Sequence, residues 1–233
     1  MDTGPRADEL SGVLDLRLDL TGAQTLPDLT AAVNGLCRRA ERHPAAPVLV
    51  LRLATTGPDG RAWPGPVGVQ DVNRWERALR RLERCAAVTL AAAGGNCAGP
   101  ALDLLLTADY RLCTGDLRLL LPVNDGQMWP GMAVYRLARQ VGLARARQIV
   151  LWGSDLTAAQ ALRDGLVDEV AADLDDAVTV AVVWLGRTNG AELAVRRALL
   201  HEALDVGPDE ALGTHLAACD RELRRLRAGA GDR

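Results

Sequence analysis

The sequence predicts an α/β protein with parallel strands, followed by a C-terminal helical region. Three observations carry this. From Val13 to about Ala108, short apolar runs alternate with amphipathic stretches of a dozen or more residues. The runs Val48 to Leu53 and Ala87 to Ala93 are apolar almost throughout, as strands covered on both faces of a sheet must be. Beyond Gly131 helical periodicity dominates to the end.

Val13 to Leu20 alternates Val and Leu with Asp and Arg at period two, the pattern of a half-buried strand. From Leu26 to Arg42, Leu29, Val33, Leu36 and Ala40 recur at helical spacing, and Pro44 and Pro47 stop that helix before the strand Val48 to Leu53. Thr55 to Gly68 is rich in Gly and Pro and reads as a long loop. Trp75, Leu79 and Leu82, with Val72, then lay out a second amphipathic helix, leaving Arg77, Arg80, Arg81 and Arg84 on its other side. The strand Ala87 to Ala93 leads through a Gly-rich turn into an apolar helix ending near Ala108, and the short apolar element Leu166 to Val170 interrupts the later helices. The organisation expected is a loose tail over 1–11, an α/β core over 12–171 and a helical region over 172–233 suited to packing against a partner subunit.

With 233 residues, the chain suits one large domain with a helical appendage, and 48% hydrophobic against 24% charged residues excludes disorder. A net charge of −3, two Tyr and no Phe argue against a nucleic-acid partner. All 27 basic residues are Arg, which excludes Schiff-base lysine catalysis and a Lys-dependent phosphate loop. Five cysteines without a CxxC pair, and His43, His201 and His215 without metal spacing, predict neither a disulfide framework nor a metal site. No apolar stretch nears the roughly 20 residues of a membrane span, and residues 1–20 lack the basic start and apolar core of a signal peptide. A soluble, cytoplasmic protein without membrane contact is expected.

Chemistry concentrates in Gly94-Gly95-Asn96-Cys97-Ala98-Gly99-Pro100-Ala101-Leu102-Asp103. Glycines permit close backbone approach, Pro100 suits the first helical position, and a helix N-terminus offers N–H groups to an anion or a developing oxyanion. Asp103 falls in the first turn, where the helix dipole alone also favours an acid. Cys97 reads as a small buried thiol rather than a nucleophile, with no His near it in sequence. Trp63 and Trp129 flank Gly/Pro turns and are candidates either for lining a pocket or for plain core packing.

The order of these elements resembles the enoyl-CoA hydratase/isomerase, or crotonase, superfamily from about Val13 to Val170. The resemblance rests on Ala91 through Gly99-Pro100-Ala101-Leu102-Asp103 to Ala108-Asp109-Tyr110-Arg111, on Leu121-Pro122-Val123, Trp129-Pro130-Gly131 and Arg136-Leu137, and on Gly165-Leu166-Val167-Asp168-Glu169-Val170. The spacing from Pro122 to Pro130 agrees with the family, and one residue is missing between Gly131 and Arg136. The resemblance implies a crotonase-like spiral of ββα units, a coenzyme A thioester as substrate, no separate cofactor, and a homotrimer or dimer of trimers. It implies thioester-carbonyl donors at Val67 and at Gly99 or Ala101, since the aligned Pro100 has no N–H. It also implies Asp103 as acid or base, and an acyl pocket shaped by Trp63, Asn124, Trp129, Pro130 and Gly131.

The family's two hydratase glutamates align with Asp103 and Val123, so one acid is a methylene shorter and the other is gone. Losing a positioned acid or base costs about 10²–10⁴ in rate, and losing an oxyanion donor about 10²–10³. That is too much for ordinary fatty enoyl-CoA hydration, and less decisive for an elimination driven by aromatisation. A narrower resemblance points the same way. Trp75 to Arg84, Cys97 to Leu102, Leu119 to Pro122 and Trp129 to Met132 are similar to the short crotonase-fold proteins of dihydroxyphenylglycine biosynthesis in glycopeptide antibiotic pathways. That similarity implies a helper of a type III polyketide synthase, promoting dehydration and aromatisation of a polyketide thioester to 3,5-dihydroxyphenylacetyl-CoA. The alternative is a catalytically weakened fold retained to organise or stimulate the synthase. The Arg face of the helix around Trp75 is expected to guide CoA phosphates, to meet an acidic patch on the synthase, or simply to be solvated.

Overall fold

The computed structural model describes residues 13–18, 24–43, 47–53, 62–188 and 190–231. In chain order the first half contains β1 (Val13–Leu18), α1 (Leu26–Arg42), β2 (Val48–Leu53), α2 (Val69–Glu83), β3 (Val88–Ala93), β4 (Asn96–Cys97), α3 (Pro100–Thr107), β5 (Tyr110–Thr114) and β6 (Arg118–Leu119). The remainder contains β7 (Val123–Asn124), β8 (Gln127–Met128), α4 (Ala133–Trp152), β9 (Leu156–Thr157), α5 (Ala158–Arg163), β10 (Glu169–Ala171), α6 (Leu174–Leu185), α7 (Gly190–Glu202) and α8 (Pro208–Gly231). The expected 1–11 tail and residues 54–61 of the long loop lie outside the described residues.

The main sheet runs β1-β2-β3-β5-β10, and every pairing is parallel. Its strands are buried on both faces because different layers cover them. Leu49, Leu51 and Leu53 point into the core shared with α1 to α4, whereas Val48 and Val50, with Val88, Leu90 and Leu112, pack against Val178, Ala181, Val182 and Leu185 of α6. This is the period-two geometry of a strand read from both sides. Helix α1 starts on a capping box between Thr25 and Asp28 and buries Leu29, Val33, Leu36 and Ala40, the spacing read from sequence. In α2 the buried residues are Trp75, Ala78, Leu79 and Leu82.

A second sheet, β4-β6-β9, lies beside the turn that opens α3, with β4 and β6 parallel and β6 and β9 antiparallel. β7 and β8 form a hairpin whose two turn residues, Asp125 and Gly126, both have positive φ (48° and 78°), the backbone that an Asp-Gly pair accepts at low cost. In the apolar element around residue 166, Leu166 and Val167 are core residues, and the strand begins only at Glu169. Helix α4 is kinked at Gly142, whose φ of 73° leaves the helical region.

The helices after 172 have different roles. α6 is a covering layer of this chain's own sheet. α7 is fastened to the sheet by Arg197, whose guanidinium engages both carboxylate oxygens of Asp109 and donates to the carbonyls of Cys85 and Ala87. α8 packs on α7 and leaves Leu212, Leu216, Leu223 and Leu226 about half exposed. Among the described residues no helix is long and apolar enough to cross a membrane, and no group of three metal-capable side chains converges.

Candidate functional site

Helix α3 is apolar apart from Asp103 and Thr107, and its eight residues are all buried. An acid in its first turn is therefore carried into the core, and Asp103 is only 6% exposed. Its Oδ2 accepts a 2.9 Å hydrogen bond from the indole Nε1 of Trp75, which the inner face of α2 delivers to that spot. Burial pushes the Asp103 carboxyl up to about 7; the Trp75 bond opposes the rise, the Glu76 carboxylate adds to it, and Arg136 opposes it. A carboxyl poised near neutrality can both give and take a proton.

Arg136 comes from α4 and is itself 6% exposed. Its Nε reaches Glu83 Oε1 at 2.9 Å and its Nη2 reaches Glu76 Oε2 at 3.0 Å. Around Asp103 the Glu76 and Arg136 charges act in opposite directions, so burial, the largest cause, decides that the neutral acid is favoured. This cluster was legible only as the Arg136-Leu137 fragment of a motif; Glu76 and Glu83, two helical turns apart on α2, carried the remaining signal.

Gly99 caps α3 with φ 54° and ψ −124°, and a Cβ placed there would lie 3.1 Å from Cγ of Trp63. The Trp63 ring thus covers the start of α3 and meets Trp75 edge to face, with centroids 6.2 Å apart. Asn124 fixes this arrangement. Its Oδ1 accepts from the Trp63 N–H at 3.1 Å and its Nδ2 donates to the Trp63 carbonyl at 2.7 Å. Trp63, Gly99, Trp75 and Asp103 are therefore one contact group, held from outside by Asn124.

The expected carbonyl donors are placed differently. The Val67 N–H is engaged by the Gly65 carbonyl at 2.9 Å and the Ala101 N–H by the Ala98 carbonyl at 3.2 Å. That leaves Gly99 as the one of the three without a backbone acceptor among the described residues. Asn124 is expected as a polar pocket residue, but its side chain is spent on the Trp63 backbone. Trp129 lies on Gly131, where a Cβ would come within 2.7 Å of the indole Nε1, and Pro130 is exposed. Val123 is half-buried and pairs with Met128 across the hairpin, so no carboxylate faces Asp103 from the position the family's second glutamate occupies. Cys97 is fully buried, and burial with the nearby Asp103 pushes its thiol far up, which suits packing rather than nucleophilic attack.

Gly99→Ala tests this packing. The added methyl meets Trp63 in a backbone conformation L residues rarely adopt, so a loss of about 1–3 kcal/mol is expected in denaturant unfolding. An unchanged midpoint would show that Trp63 moves aside freely.

The comparisons with known proteins agree with this architecture. The enoyl-CoA hydratase/isomerase family model matches residues 71–224. An enoyl-CoA hydratase of Amycolatopsis orientalis is 44% identical over 218 residues, 93% of this chain and 98% of that one. A mitochondrial Delta(3,5)-Delta(2,4)-dienoyl-CoA isomerase of Dictyostelium discoideum is 30% identical over 105 residues, 45% of this chain and 36% of that one. An enoyl-CoA hydratase structure from Shewanella pealeana superposes with a TM-score of 0.78 at 19% identity, covering 92% of this chain and 85% of the other. One from Mycobacterium smegmatis gives 0.76 at 20%, covering 93% and 89%. These two structures establish the crotonase fold, and the family-model match together with the Amycolatopsis relative makes the chain a member of the enoyl-CoA hydratase/isomerase family.

Proposed function

We propose that this protein is a lyase of the hydratase/dehydratase type, acting on a polyketide CoA thioester made by a type III polyketide synthase and promoting its dehydration and aromatisation to 3,5-dihydroxyphenylacetyl-CoA. The observation that carries the reading is a single buried carboxyl, Asp103, held near neutrality without a second carboxylate at Val123. One such group suffices for a stepwise elimination. The Asp103 carboxylate takes the proton from the carbon next to the thioester, and the electron pair passes into the enolate. The β-hydroxyl then leaves with the proton that Asp103 returns, as water, so the acid ends as it began. Gly99 N–H at the start of α3 is the donor we place on the enolate oxygen. The substrate supplies the CoA, and no further cofactor enters the scheme.

A second reading is favoured by a specific observation. Trp63 covers the start of α3, and two of the three donors are engaged within the chain. These support a catalytically weakened fold that organises or stimulates the synthase. Incubating purified synthase with malonyl-CoA, with and without this protein, separates the possibilities. The lyase reading expects more 3,5-dihydroxyphenylacetyl product with the parent protein and none of that gain with Asp103→Asn. Equal stimulation by both proteins supports the organising role, and no effect from either sinks both.

We also propose a homotrimer or a pair of trimers, in which the exposed leucines of α8 are covered by a neighbouring copy. Light scattering of a stable monomer at micromolar concentration would remove that proposal.

A further inference from the structure

Helix α2 separates two surfaces of opposite character. Its inner face carries Trp75 to Asp103. Its outer face carries Arg77, Arg80, Arg81 and Arg84, which with Cys85, Ala86 and Glu41 of α1 line an open groove of about 490 Å³. Arg81 already shows what this surface holds. Its fork binds both carboxylate oxygens of Glu41, at 2.9 and 2.6 Å, and its Nη1 donates to Asn34 Oδ1 at 3.2 Å. Arg77, Arg80 and Arg84 are exposed, and no acidic side chain among the described residues pairs with them. The acids nearest them on α2, Glu76 and Glu83, are turned inward to Arg136. Arg38 and Arg42 stand near Glu41 at the end of α1 and are also exposed. Among the described residues the region thus gathers six arginines against one facing carboxylate, in a chain whose net charge is −3.

We infer that this groove docks an acidic segment of another protein, whose Asp and Glu carboxylates are received by Arg77, Arg80 and Arg84. The three cations sit at i, i+3 and i+7, a track about 10 Å long, which matches a run of carboxylates better than one compact phosphate. Guanidinium forks bind carboxylates bidentately, and the Arg81–Glu41 pair is such a contact within the groove itself. A single phosphate calls for donors converging from a buried cradle, whereas these side chains are exposed along a ridge. Nucleic acid would extend past the ridge onto a surface whose overall charge repels it. The groove lies across α2 from Asp103, so the inference stands apart from the acyl chemistry and adds a docking face to the proposed helper role.

The test uses a fluorescein-labelled decaglutamate peptide and the full chain, with the triple variant Arg77→Gln, Arg80→Gln, Arg84→Gln. Because these three side chains are exposed and pair with no acid among the described residues, the variant should keep the parent's melting temperature. The peptide is expected to bind the parent, to bind about tenfold more weakly as NaCl rises from roughly 50 to 200 mM, and to lose at least about tenfold in affinity in the variant. Asp103→Asn should bind the peptide as the parent does, so failure of the dehydration scheme and failure of the docking face are read separately. No binding, or equal binding by parent and triple variant, overturns the inference. So does tighter binding of CoA or a single-stranded oligonucleotide through the same three arginines, which would make the groove a phosphate site.

Discussion

Asp103→Asn is expected to lower dehydration by about 10²–10⁴ and, at the same time, to stabilise the folded protein at alkaline pH. Asn keeps an acceptor for the Trp75 indole and nearly the same shape but cannot carry a proton through the reaction. The stability effect follows from burial. The folded-state carboxyl lies near 7 and the unfolded one near its ordinary 3.8, so between those values the folded protein binds the extra proton. Stability from this group is therefore fully present below about pH 4 and is lost as pH rises towards 7. Above pH 8 the ionised, buried Asp103 costs up to about 4 kcal/mol, which Asn does not incur. Thermal unfolding of parent and variant across pH 4 to 9 should show curves that converge in acid and separate in base. Parallel curves would mean that Asp103 is solvated like an ordinary surface acid. Unchanged turnover would remove it from the reaction.

Asp109→Ala is expected to cost about 3–5 kcal/mol and to loosen α7, without touching the site directly. Asp109 Oδ2 accepts from both the backbone N–H and the hydroxyl of Thr89, each at 2.7 Å, locking β5 to β3. The same carboxylate holds Arg197, whose side chain is only 11% exposed. Alanine leaves that guanidinium charged, largely buried and, among the described residues, bonded only to the Cys85 and Ala87 carbonyls, while the Thr89 N–H loses its acceptor. Denaturant unfolding measures the loss, and hydrogen exchange should show the amides of α7 exchanging before those of β3. A loss under about 1 kcal/mol would show the clasp to be a solvated surface pair.

The partners in this clasp are too far apart along the chain for sequence pattern to pair them. Asp109 is recognisable in sequence as part of the family motif Ala108-Asp109-Tyr110-Arg111, and the structure makes it the acid that ties Thr89 and Arg197 together. Its partner Arg197 is 88 positions away in a helix whose arginines look alike in sequence. Asn124 is similar. The family resemblance implies it as a polar residue of the acyl pocket, but only the fold shows both ends of its amide closing on the Trp63 backbone, 61 positions earlier.

Local pattern was sufficient for the elements. The helix Leu26–Arg42 and the strand Val48–Leu53 match their expected ends, because capping, proline breaks and apolar period are set by neighbours within a few residues. The inward set Trp75, Leu79 and Leu82 and the outward arginines of α2 were likewise determined by helical period alone. The sequence by itself also placed Asp103 in the first turn of an apolar helix, and with it the family. Tertiary structure decided what surrounds that acid: the Trp75 indole from 28 positions away, the Glu76–Arg136–Glu83 cluster, and the Trp63 ring over Gly99. The physical reason is range. Backbone and apolar periodicity are short-range and repeat along the chain, whereas the proton affinity of a buried carboxyl depends on the few charges and dipoles that distant segments bring within several ångströms of it.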